Sequence, residues 1–186
     1  MADSSSTRPD KVQIVMENIL SRKSVRSYTT EAVPEEMVQT LLKAAMAAPS
    51  AKNRQPWEFV VLNDRAVLDT LAEQLRYAKM LAQAPLAIVV CAETHHKTDD
   101  GQLVENQRWE HDASAATENL LLAAEAMGLG AVWTAADDNE RAGYVRAAIG
   151  IPDSFSPLCV VAVGWPDGEF KPKDKWKPEK IHYNRW

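Results

Sequence analysis

The segment from about Glu105 to Met127 constrains this chain most. It is the longest helical candidate, and its second half, ATENLLLAAEAMG at 116–128, is apolar over most of its circumference. A helix with no broad polar face must be covered on several sides. It therefore belongs at the centre of the molecule. A chain of 186 residues, 46% apolar and 25% charged, can build one domain with a real core, but it has limited surface to offer such a helix. The expectation is a central helix shared with a second copy of the chain.

The remaining elements follow from punctuation and periodicity. MADSSSTRPD at 1–10 is polar and turn-rich and reads as a flexible tail. Asp10 is expected to cap a helix through Leu20, with Val12, Val15 and Ile19 forming one apolar stripe. Pro34 is placed at the first position of a second helix, with Glu35 and Glu36 where the helix dipole favours anions, and Pro49 ends it. WEFVVL at 57–62 reads as a strand, and Asp64 caps a helix carrying Val67, Leu68, Leu71 and Leu75. Buried strands are expected at 86–92 and 158–163. Gly128 and Gly130 stop the central helix and turn into AVWTAA, and a further helix at 140–149 ends at Gly150. After Gly164, prolines, lysines and aromatics without periodicity suit an extended arm at about 165–186. Helices alternating with strands predict an α/β or α+β sandwich around a central sheet, residues 11–186 forming one domain. No G-x-G-x-x-G follows a strand, which argues against a classical Rossmann dinucleotide fold.

Charge and cysteine usage narrow the partners. A net charge of −5 argues against a nucleic-acid or anionic-membrane surface. Cys91 and Cys159 lie in the apolar runs APLAIVVCA and SPLCVVAVG and read as buried thiols in a reducing, cytoplasmic setting. Nothing in the chain reads as a signal or transmembrane segment.

Chemistry gathers in SRKSVRSY at 21–28 and PSAKNRQPW at 49–57. Arg22, Lys23 and Arg26 around Ser24 can grip a phosphate dianion and still aim one charge at a ring system. A bound flavin mononucleotide (FMN) needs cations for its phosphate, a positive charge at the pyrimidine edge and a donor near the hydride-accepting nitrogen. Alone, SRKSVR also fits a solvated charged face. His95, His96, Asp99 and Asp100 read as a solvated loop rather than a metal site. His111 and Asp112, adjacent on a helix, point apart and form no dyad. No Gly-x-Ser-x-Gly or Cys/His nucleophile arrangement occurs. Trp109 and Trp133 fit either a core or the wall of a ring-binding site.

SRKSVRSY, APSAKNRQPWEFVVL, NLLLAAEAMGLGAVWTA and GWP followed by a lysine-rich end, in that order, resemble the nitroreductase family of FMN oxidoreductases. The resemblance implies an α+β fold: a three-layer α/β/α sandwich with a mixed, mainly antiparallel sheet. It also implies an intertwined homodimer with two FMN sites at the interface and the C-terminal arm reaching the partner. Arg22, Lys23, Ser24, Val25 and Arg26 match the phosphate and pyrimidine-edge block. Pro49, Ser50 and Asn53 match residues reaching the flavin held mainly by the partner chain. Trp133, Thr134 and Ala135 match the segment whose backbone N–H faces the reactive nitrogen, and Lys175, with Lys173 beside it, matches a late basic phosphate ligand. Lys23 departs from the arginine or histidine, and Lys175 from the arginine, that family members often carry there, each giving a point charge without a bidentate fork.

The activity implied is hydride transfer from NADH or NADPH through bound FMN to an electron-poor acceptor such as a nitroaromatic or quinone, by ping-pong kinetics. The alternatives are a flavin-binding sensor or storage module without turnover, and a reductive dehalogenase-like enzyme. The lid insertion of the dehalogenating relatives is missing, although Glu73 and Tyr77 sit at helical spacing where part of one could be mimicked.

Overall fold

A computed structural model of the chain describes residues 7–98 and 100–186. Two of its helices begin where an aspartate side chain satisfies a free N–H group. The Asp64 carboxylate accepts from Ala66 N at 2.8 Å and starts α3 (Arg65–Gln74). Asp138 accepts from Arg141 N at 2.7 Å and starts α5 (Asn139–Ile149), which closes on Gly150 at φ 70°. α2 (Glu35–Met46) has Pro34 just outside it, one position earlier than expected, and stops at Met46, before Pro49 is reached.

Two expectations are corrected here. α1 (Thr7–Ser21) begins before Asp10, so Asp10 sits in its first turn rather than capping it, and residues 7–10 are helical rather than tail. Residues 1–6 of that tail lie outside the described residues. The polar stretch around 95–105 is a hairpin of β3 (His95–Lys97) and β4 (Leu103–Glu105). Asn106 ties its base down, donating from its backbone to Thr94 O at 2.7 Å and from its side chain to Glu93 O at 3.1 Å. The long helix α4 (Trp109–Ala126) consequently starts later than Glu105.

The main sheet has the order β1–β2–β6–β5, from β1 (Trp57–Leu62), β2 (Leu86–Glu93), β6 (Phe155–Gly164) and β5 (Gly130–Ala135), every pair antiparallel. β2 and β6 are central and covered on both faces, which is why they read as unbroken apolar runs rather than alternating ones. Pro157 lacks an N–H, and the β2/β6 register shifts beside it, between Val90 and Cys91. On the outer edge of β5, Ser24 bridges Ala131 in parallel, making the sheet mixed.

The layers follow from which helix faces are apolar. Leu68, Leu71 and Leu75 from α3 and its end, with Val145 of α5, bury Val89, Val160 and Ala162 on one face of the sheet. Leu41 and Ala45 of α2, with Ala113, Ala116, Leu120 and Ala124 of α4, bury Ile88, Val90, Val161 and Val163 on the other. α4 is thus covered within one chain by the sheet, α2 and α1, where Asn18 Nδ2 donates to Leu122 O at 3.0 Å. Within one chain this buries Ala113, Ala116, Leu120 and Ala124 and leaves Ala115, Leu122 and Ala123 partly exposed. Apolar surface is also uncovered on α1, whose Val12, Val15 and Ile19 are 64%, 55% and 44% exposed. Among the described residues no helix is long and apolar enough to cross a membrane.

Candidate active site

Residues 22–28 leave α1 extended and run along β5. Val25 N donates to Ala131 O at 3.1 Å, and further on Thr29 N donates to Trp165 O at 2.9 Å. Period-two alternation turns Val25 into the core and leaves Ser24 and Arg26 exposed. The close approach requires glycine at 130, because a Cβ there would stand 2.6 Å from Val25 Cγ1 and 2.7 Å from Val25 Cβ. Buried Tyr28 pins the far end by donating its hydroxyl to Val25 O at 2.6 Å. Desolvation by burial holds that phenol well above its ordinary value, against a smaller opposing effect of Arg26, so it stays a proton donor.

The outward side chains meet the C-terminal arm. A cavity of about 200 Å³ is lined by Arg22, Lys23, Ser24 and Arg26 from one end of the chain and by Phe170, Lys171, Lys173 and Lys175 from the other. Arg22 and Lys23 are not wholly free. Arg22 Nε lies 3.3 Å from Glu118 Oε1 and Lys23 Nζ 2.8 Å from Glu125 Oε1, two carboxylates seven residues apart on one face of α4. Lys23 is therefore aimed at α4, whereas Arg26, Lys173 and Lys175 make no ion pair among the described residues.

Arg26 also borders a second cavity of about 580 Å³, floored by Val132, Trp133, Thr134 and Ala135 of β5 and walled by Arg76, Tyr77, Lys79, Met80 and Arg141. The bond from Val25 N shows that the Ala131 carbonyl points off the sheet edge. Alternation along the strand turns the N–H groups of Trp133 and Ala135 the same way, toward open space where β5 has no neighbouring strand. The Ala135 carbonyl is taken by Arg141 Nη1 at 3.2 Å. Trp133 borders this cavity, and like Trp109 it packs against the core on the α2/α4 face of the sheet.

Pro49, Ser50 and Asn53 line neither of these cavities within one chain. Their turn is nonetheless tightly specified. Lys52, Asn53 and Gln55 hold φ of 54°, 52° and 51°, left-handed values costly for side-chain-bearing residues. Ser50 Oγ accepts from Gln55 N at 2.9 Å, and Asp112 Oδ1 accepts from Ala51 N at 2.9 Å. Asp112 is buried, and its Oδ2 has no partner among the described residues.

The nitroreductase family model matches residues 19–76 and 63–165. The chain belongs to the nitroreductase family. A protein of Archaeoglobus fulgidus, provisionally named NADH dehydrogenase/NAD(P)H nitroreductase, is 38% identical over 172 residues, covering 90% of this chain and 96% of its own. A solved structure from Bacteroides thetaiotaomicron with the same provisional name has a TM-score of 0.86 at 46% identity, covering 92% of this chain and 98% of that one. A provisionally assigned nitroreductase of Desulfovibrio desulfuricans, solved in complex with FMN, has a TM-score of 0.75 at 30% identity, covering 92% and 97%.

In this nitroreductase-family chain several site residues escape a reading of the sequence. Arg76 and Lys79 look like an ordinary helix end, and Arg141 like a helix-surface charge; only the fold brings them to one cavity with β5, beside Tyr77, which the sequence offered only as part of a lid mimic. Asp112, set aside as half of a false dyad with His111, is what holds the 49–55 turn. Cys91 and Cys159 are unpaired and buried, and burial pushes both thiols up to about 12, which makes them poor nucleophiles at neutral pH. His96 contacts Arg54 in the hairpin, and no cluster of metal-ligating side chains occurs among the described residues; Asp99 lies outside them.

Proposed function

We infer that this chain is an NAD(P)H-dependent flavin oxidoreductase holding FMN along the strip from Lys175 to Ala135. The observation that carries this reading is the meeting of cations from both chain ends in one small cavity that shares Arg26 with a larger one. The two spaces fit the two ends of a flavin mononucleotide. Ser24, Lys173 and Lys175, with Arg22 turning from Glu118, would hold the phosphate by charge-assisted hydrogen bonds; Lys23 adds its field while paired to Glu125. Val25 keeps that strip seated, and Arg26 at the junction would sit at the pyrimidine edge. Trp133, Thr134 and Ala135 would lie under the ring, with outward N–H donors from the first and last. When bound, FMN supplies the hydride-accepting centre, and the protein's part is orientation and electrostatics.

The 49–55 turn extends the proposal to a homodimer. Pro49, Ser50 and Asn53 stand apart from the cavities of their own chain, as residues serving a partner's flavin would. The apolar face of α1 and the exposed Trp176, Tyr183 and Trp186 of the arm provide surface for such an interface. The rest follows from space. The larger cavity, about 580 Å³ beside β5, would admit one flat reactant at a time, so NADH or NADPH leaves before a nitroaromatic or quinone acceptor enters, giving ping-pong kinetics. Two free buried thiols suit a reducing cytoplasm.

Mixing the purified yellow protein with NADH or NADPH under nitrogen tests this. The visible band should bleach rapidly and return on adding a quinone. A yellow protein that no dihydronicotinamide bleaches would leave flavin binding without turnover and contradict the enzyme assignment.

A further inference from the structure

The larger cavity is strongly cationic for a chain of net charge −5: among the described residues Arg26, Arg76, Lys79 and Arg141 line it and no carboxylate does. Arg26 is accounted for above. Two of the others have local work. Lys79 Nζ donates to the carbonyls of Ala72 and Glu73, at 2.8 and 3.1 Å, closing the end of α3. Arg141 pairs with Asp138 at the start of α5. Arg76 has no such task. It makes no ion pair among the described residues, and its guanidinium lies over the Tyr77 ring, 5.3 Å from the centroid.

A guanidinium beside an aromatic ring and without a carboxylate partner keeps its N–H fork available. Such a fork matches the two oxygens of a carboxylate or phosphate, and the charges of Lys79 and Arg141 beside it raise the local concentration of anions. Its position matters as much as its charge. Arg76 lines the cavity together with β5 but from a different element than the phosphate-binding strip, so it is spare for whatever enters beside β5.

We propose that Arg76, supported by Lys79 and Arg141, binds the anionic arm of a reactant whose flat ring occupies the cavity over β5. This rests on the flavin reading above and adds a substrate class to it: reactants that join a planar ring to a carboxylate or phosphate. Two reactants could carry that anion, namely the diphosphate of the dinucleotide donor and a carboxylate or phosphate on the acceptor.

The test uses flavin-loaded wild-type, Arg76→Gln and Arg76→Lys proteins at low ionic strength, with the two half-reactions followed separately by anaerobic stopped flow. Reduction is compared between NADH and uncharged dihydronicotinamide riboside, and reoxidation between 4-nitrobenzoate and 4-nitrobenzamide. Arg76→Gln should lower the second-order rate constant roughly tenfold for a charged reactant, the loss of one charge-assisted contact, and leave uncharged reactants within about twofold. Arg76→Lys should fall between. A loss confined to NADH assigns the site to the donor, and one confined to 4-nitrobenzoate assigns it to the acceptor. Calorimetric binding of the non-reacting counterparts NAD⁺ and benzoate should show the same split. Equal effects on charged and uncharged members of both pairs would overturn the proposal. A protein that carries no flavin would overturn the flavin reading and this assignment together.

Discussion

Replacing Gly130 by alanine tests how the cationic strip is positioned. The added Cβ would meet Val25 Cγ1 at 2.6 Å, Val25 Cβ at 2.7 Å and Val25 Cγ2 at 3.0 Å. Because one of these is the β-carbon itself, a rotamer change cannot relieve the contact, and the backbone of the strip must move. Overpacking of this kind costs about 1–3 kcal/mol. It is offset by about 0.5–1 kcal/mol for removing glycine from a strand. The net expectation is a loss of about 1–2 kcal/mol in urea unfolding. The same displacement shifts Ser24 and Arg26, which flank Val25, so FMN affinity should fall roughly tenfold, equivalent to about 1.4 kcal/mol, in a flavin-fluorescence titration. Gly128→Ala is the control. Its φ of 74° imposes backbone strain, but nothing lies within 4 Å of the added carbon, so stability should drop by about 1–2 kcal/mol while FMN affinity holds. Gly130→Ala protein that is more stable than wild type, or that binds FMN unchanged, would refute the argument.

Further outcomes follow from the same geometry. Arg26→Ala should slow reduction by NADH more than it weakens FMN retention, because Arg26 borders the ring-sized cavity as well as the phosphate end; equal loss of both in stopped-flow and dialysis experiments would remove it from the ring edge. Glu125→Gln frees the Lys23 ammonium from its 2.8 Å partner and should tighten FMN a few-fold, whereas weaker binding would mean that the pair anchors the strip. The buried thiols should resist a thiol reagent at pH 8 until the protein is unfolded. Their folded values lie above the ordinary 9.0, so their contribution to stability is complete below pH 9.0 and lost as pH rises toward about 12. Urea midpoints should accordingly fall above pH 9; a rise across that window would contradict the burial of both thiols.

Much of the fold was legible because local chemistry and tertiary position agree. The apolar runs of β2 and β6 announce strands covered on both faces, and Asp64 announces α3 through a bond it makes two residues away. The errors fall where sequence carries no local signal. α1 begins in a polar stretch that composition alone assigns to a tail. The 95–105 hairpin is held by Asn106 reaching back to Glu93 and Thr94, a contact outside its own strands. The cations at 22–26 were readable as a cluster, but the diversion of Lys23 to Glu125 depends on a partner 102 residues away. The facing wall of Arg76 and Arg141 likewise exists only once α3 and α5 pack together on one side of the sheet.

Comparing FMN with riboflavin, which differs from it by the missing phosphate, in titrations of the flavin-stripped protein addresses the convergence of the two chain ends most directly. Two charge-assisted contacts to the phosphate, at about 1.5–3 kcal/mol each, predict that FMN binds at least roughly 100-fold more tightly, and that the advantage collapses in an Arg22→Ala/Lys175→Ala protein. Equal affinity for the two ligands, or an advantage untouched by removing those side chains, would contradict it.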